Sequence, residues 1–81
     1  MTKVMWEKKI SSFLVGKTIK TTRYFNDKEM GLFGWDDEYN KRPLVIFFND
    51  GSWIVPMMDD EGNDGGALAV SDEKLITIPV M

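Results

Sequence analysis

The stretch 44–56, LVIFFNDGSWIVP, constrains this chain most. Residues 44–48 are apolar, Asn49-Asp50-Gly51 is a tight-turn signal, and residues 52–56 return as a partner strand. β-Branched and aromatic residues suit a pleated surface, and an Asp-Gly pair supplies the positive φ that a hairpin turn demands. Side chains alternate along a strand, so Val45 with Phe47, and Trp53 with Val55, fall on core-facing positions, while Phe48 and Ile54 face the other way. A hairpin apolar on both faces is either covered on both or binds something. The natural cover within the chain is an N-terminal helix; the other possibility is a second copy or a partner.

That helix is expected over 3–14. Met5, Trp6, Ile10, Phe13 and Leu14 recur at three- and four-residue spacing, with Lys3, Glu7, Lys8, Lys9, Ser11 and Ser12 on the other face. Thr2 is placed to cap its start, and Gly16 stands where a left-handed residue ends a helix. A strand is expected over 18–25 (TIKTTRYF). Asn26 with Glu29 resembles a capping box and opens a short helical turn over 27–33, with Met30 and Phe33 facing inward. Residues 35–41 (WDDEYNK) read as a polar loop and residues 58–66 (MDDEGNDGG) as a glycine- and acid-rich one. A last strand is expected over 75–80 (LITIPV), and Pro79, with no N–H to donate, puts it at a sheet edge. The fold class is therefore mainly β (α+β): a single domain over 1–81, with a helix over 3–14 and a small SH3-like barrel of four to five short strands over 17–81. Closing a curled sheet protects strand edges that a flat sheet would expose.

Composition narrows the function classes. The 81 residues include no cysteine and no histidine. Disulfides, thiolate nucleophiles and Cys-ligated zinc are excluded, together with the commonest general base. A chain this short has little room for a buried, tuned pair of acid–base groups, so an enzyme is not expected and no cofactor or metal is assigned. No signal-peptide h-region and no membrane span is present, and a cytoplasmic protein without membrane association is the expectation. Residues 1–42 hold nine Lys/Arg against six Asp/Glu, whereas residues 43–81 hold one against seven, for an overall charge of −3. The surface should be polarised.

Arg23-Tyr24, Glu29-Met30, Gly34-Trp35, Arg42-Pro43, Val45-Ile46, Asp50-Gly51, Pro56 and the run 60–68 (DEGNDGGAL) together form a pattern. In it the chain resembles a family of small bacterial and phage proteins of unassigned activity. Their sequences run from a strand like IKTTRYF through a helix ending in GW, an Arg-Pro-led strand and an Asp-Gly turn to EGNDGGAL. The likeness covers about the middle two-thirds of the chain. It implies an SH3-like barrel and no chemistry. The helix over 1–13, the strand over 75–81 and the length of the WDDEYNK loop depart from the pattern.

Four candidate sites follow from the residues. Gly16-Lys17-Thr18 ends like a phosphate-binding loop, but Ser11 stands where glycine is required and the order is helix then strand. Ser71-x-x-Lys74 matches a serine-acylase motif without its partner motifs, and a turn explains it. In the acidic loop, an EF-hand register fails from either Asp59 or Asp60, because Val70 or Ser71 stands where the bidentate Glu belongs. Asx turns are the plainer account of it. The cations Lys17, Lys20, Arg23, Lys41 and Arg42 accompany aromatic residues, as in small barrels that bind single-stranded nucleic acid. Against that, Lys20 and Arg23 should lie on opposite faces of their strand, and Asp36, Asp37 and Glu38 interrupt the patch. The leading expectation is an interaction module for another protein, as a monomer or homodimer. Trp6, Trp35, Tyr39 and Phe48 would be its apolar anchors, and Asp59, Asp60, Glu61 and Asp64 would give selectivity. Nucleic acid bound by the basic half is the alternative.

Overall fold

The computed structural model describes residues 2–35, 42–71 and 73–81. Helix α1 spans Lys3–Leu14, and the Thr2 hydroxyl accepts from the Met5 N–H at 3.3 Å. It stops because Val15 turns extended and Gly16 takes φ of 84°, a left-handed conformation that a Cβ would strain. Strand β1, Ile19–Tyr24, follows and leads to helix α2, Asp27–Phe33. The capping box at α2 is complete: the Asn26 side chain accepts from the Glu29 N–H, and the Glu29 carboxylate accepts from the Asn26 N–H, both at 2.9 Å. Asparagine serves here in the place usual for Ser or Thr.

Strands β2, Leu44–Phe48, and β3, Trp53–Ile54, form the expected hairpin. Its second arm is shorter than the sequence pattern suggests. The Asp50 carboxylate accepts from the Ser52 N–H at 2.9 Å, which keeps Ser52 in the turn, and β3 stops short of Pro56. Strands β4, Leu68–Ser71, and β5, Leu75–Ile78, make a second antiparallel pair.

All pairings are antiparallel, in a three-stranded sheet ordered β1-β2-β3 and a two-stranded sheet β4-β5. The expectation of a small α+β chain with four to five short strands is met, with five among the described residues. The described strands do not close into one barrel. What joins the sheets is local. Arg42 and Met81 exchange both backbone hydrogen bonds, at 2.9 and 2.8 Å, and the Tyr24 hydroxyl donates to the Pro79 carbonyl at 3.2 Å. Residue 57 also bridges Gly65, bringing the acidic loop back beside the hairpin.

The core is small. Phe25, Met30, Trp35 and Val45 are buried together, with Phe47 and Val55 packed against them. Met30 faces inward as expected. Phe33 is a rim residue, 37% exposed, whose ring meets Phe25 and Trp35 edge-on at 5.2 and 4.8 Å. Trp53, expected in the core, is 43% exposed, because β3 is the outer strand of its sheet.

The helix does not cover the hairpin. None of its residues is buried, and α1 packs substantially against no strand and not against α2. Phe48 lies on the hairpin face opposite Val45 and is buried, with the Lys17 ammonium 5.6 Å from its ring centre. No described helix is long and apolar enough to cross a membrane.

Candidate functional site

Among the described elements, α1 carries the most exposed large apolar side chains. Val4, Met5, Trp6, Ile10 and Phe13 are each 48–59% exposed. At 100° per residue, Trp6, Ile10 and Phe13 share one side of the helix. Lys9 stands beside them, its ammonium 5.2 Å from the Trp6 ring centre. Such a face is costly to leave in water, and an isolated helix of this length is marginal.

Of the expected anchors that lie among the described residues, one is exposed. Trp6 is on the α1 face. Trp35 and Phe48 are buried at 6% and 7% exposure, which corrects their reading as docking residues. Trp35 stacks on Phe25 at 5.6 Å, and its indole N–H donates to the Gly62 carbonyl at 2.6 Å. Phe48 is shut in by its own sheet and by Lys17. The sequence around Trp35, beside a polar loop, gives no sign of which way the ring turns, and strand alternation places Phe48 on the face opposite Val45 without showing that this face is covered. Tyr39 lies outside the described residues.

The acidic loop is organised from within. One Asp59 oxygen accepts from the Glu61 and Asn63 N–H groups at 3.1 and 3.2 Å, and the other accepts from the Asn63 side chain at 2.7 Å. That side-chain bond, with the backbone donors, holds the Asp59 carboxyl below its ordinary range. Asp64 accepts from the Gly65 N–H, while Asp60 and Glu61 are exposed. Among the described residues no cluster of three or more acidic side chains is disposed to hold a metal ion. Gly66 has a packing role. A Cβ on Gly66 would meet the Met57 carbonyl oxygen at 2.8 Å, so only glycine lets the two backbones come this close.

The basic residues are largely engaged. Arg23 forms a two-pronged pair with Glu29 at 2.7 and 3.0 Å, which raises the guanidinium and lowers the carboxyl from their ordinary values. Arg42 pairs with Asp27 and donates to the Phe25 carbonyl. Lys41 lies outside the described residues. Lys20 is exposed. The expected separation of Lys20 from Arg23 is corrected by a β-bulge. Ile19 pairs with Phe48 and Thr21 with Phe47, so Lys20 is an extra residue in β1. Lys20, Thr21 and Arg23 consequently line one shallow groove of about 280 Å³ with Phe47, Phe48 and Gly51. The ring of Phe47 is already covered there by the Arg23 guanidinium at 4.8 Å.

Lys17 has a role that its sequence neighbourhood does not announce. Its ammonium donates to Asp50 at 2.6 Å and to the Ser52 hydroxyl at 2.8 Å, and its side chain is 16% exposed. Ser52 in turn donates to Asp50. The same ammonium stands 4.3 Å from the Phe13 ring centre. A groove of about 420 Å³ opens beside it, bounded by the end of α1 and the β2–β3 turn. Lys17 and Asp50 are 33 positions apart, and the pairing of β1 with β2, with Ile19 opposite Phe48, brings them together.

Comparison with models of protein families, with curated proteins and with solved structures gives no match to this chain.

Proposed function

We propose that this chain is a small non-enzymatic interaction module that binds another protein through the apolar face of α1. The half-exposed set Trp6, Ile10 and Phe13, on a helix that no other element covers, carries this reading. A large aromatic residue at the centre of an apolar patch is the usual anchor of a protein interface. The ordered acidic loop, with exposed Asp60 and Glu61, supplies charge for selecting a basic partner. In this reading the strands are an SH3-like barrel left open between its two sheets, and the Arg42–Met81 pairing stands at the seam. The likeness to the bacterial and phage family supports the same architecture and brings no activity with it.

A nucleic-acid strand along the groove of Lys20, Thr21 and Arg23 is the second reading, favoured by the bulge that gathers these residues. It has to displace Arg23 from both Glu29 and Phe47, so it draws less support.

A photoreactive residue at position 6, compared with one at position 20, tests the choice in cells. Protein adducts at position 6 that vanish on Ile10→Glu are the expected result. Adducts to nucleic acid at position 20, with none to protein at position 6, would sink the protein reading. Binding of short DNA or RNA that weakens steeply with salt would point the same way.

A further inference from the structure

We propose that α1 is a hinged arm seated on the body of the protein by one charge, the ammonium of Lys17. The arm has no buried residue and no substantial packing against the strands or α2. Its last turn reaches the body through Lys17, whose ammonium lies 4.3 Å from the centre of the Phe13 ring and 5.6 Å from that of Phe48. Asp50 and Ser52 fix the ammonium from the β2–β3 turn. Between arm and body lie Val15, extended, and Gly16, left-handed and without a side chain to resist rotation.

A cation within reach of two aromatic rings is held by them and by its carboxylate together. Removing the charge leaves Phe13 and Phe48 separated by a neutral stem, and the arm loses its fixed direction. Once unseated, a 12-residue helix has little intrinsic stability and frays. The seat thus governs how Trp6, Ile10 and Phe13 are presented. That use of the arm rests on the protein-binding reading above, whereas the seat itself is tested with no partner present.

Amide hydrogen exchange, measured on the whole chain as wild type and as Lys17→Met, reads the arm directly. Exchange over residues 3–14 should rise by about three- to tenfold in Lys17→Met while β1 and β2 keep their protection. Lys17→Arg, which retains the charge, should stay close to wild type. Asp50→Asn should fall between the two. Unchanged exchange over 3–14 in Lys17→Met overturns the proposal, as does a loss of protection shared equally by the arm and β1–β2. Should Lys17→Met fail to fold, Phe13→Leu keeps the apolar contact and removes the ring face, and an arm as protected as wild type would again overturn it. Failure of the crosslinking experiment with a positive exchange result would remove the partner and leave the seat standing.

Discussion

The indole N–H of Trp35 donates to the backbone carbonyl of Gly62 at 2.6 Å, tying the end of α2 to the acidic loop across 27 positions of sequence. The glycine-rich loop is thereby anchored to the core as well as to the segment that follows the hairpin.

Replacing that donor should loosen the loop. Trp35→Phe retains an aromatic ring against Phe25 and leaves the Gly62 carbonyl without its partner, at a cost of about 1–3 kcal/mol in chemical denaturation. Amide exchange in residues 59–65 should accelerate more than exchange in β2. A variant as stable as wild type, with an unchanged loop, would show that the bond contributes nothing.

Glu29 acts in a helix cap as well as an ion pair, whereas the contacts of Arg23, with Glu29, the Tyr24 carbonyl and the Phe47 ring, lie at the surface. The carboxylate closes the capping box of α2 as well as pairing with Arg23. Glu29→Ala should therefore cost about 0.5–2 kcal/mol, the scale of a lost helix cap. Arg23→Ala, which removes a solvent-exposed pair, should move the melting temperature much less. Equal effects would mean that the ion pair, rather than the cap, is what Glu29 supplies.

Two glycine-to-alanine changes should have opposite signs. A Cβ on Gly31 meets nothing within 4 Å and lies inside α2, so Gly31→Ala should stabilise by about 0.5–1 kcal/mol. Gly66→Ala drives a methyl group into the Met57 backbone and should destabilise. Thermal melts of the two variants decide it, and a stabilised Gly66→Ala would contradict the close approach described above.

Asp50 sets an acid dependence. Its carboxyl is lowered well below the ordinary 3.8, first by the hydrogen bond from Lys17 and then by those from Ser52. A carboxyl depressed in the folded state contributes stability above its unfolded value, and that contribution fades as pH falls below it. The difference in melting temperature between wild type and Asp50→Asn should be widest near neutral pH and shrink below about pH 4. A difference that grows on acidification would reverse the sign and rule out the Lys17–Asp50 pair as its source.

The elements were legible in the sequence because local rules decide them. Thr2 and the apolar spacing fix α1, and Asn26 with Glu29 fixes α2. The run 44–48 before Asn49-Asp50-Gly51 fixes β2. What was not legible depends on distance. An amphipathic helix pattern says which face could be buried, not whether anything lies against it, so α1 was expected as a cover and stands uncovered. The direction of Trp35 is set by Gly62 and by Phe25, neither of which is its neighbour in sequence. The bulge at Lys20 leaves no mark in TIKTTRYF, since an extra residue in a strand is visible only from its partner. Lys17 reads in sequence as part of a basic patch because its partner Asp50 is 33 positions away.

The division of the strands into two sheets has a consequence for behaviour at high concentration. Two open sheets present four outer strands, each a template onto which another chain could add and polymerise. Three of the four carry an interruption: β1 has the bulge at Lys20, β3 is only two residues long and runs toward Pro56, and β5 is followed by Pro79. The outer side of β4 is the one left plain, and fibril growth or gelation, if provoked by heating, should begin there.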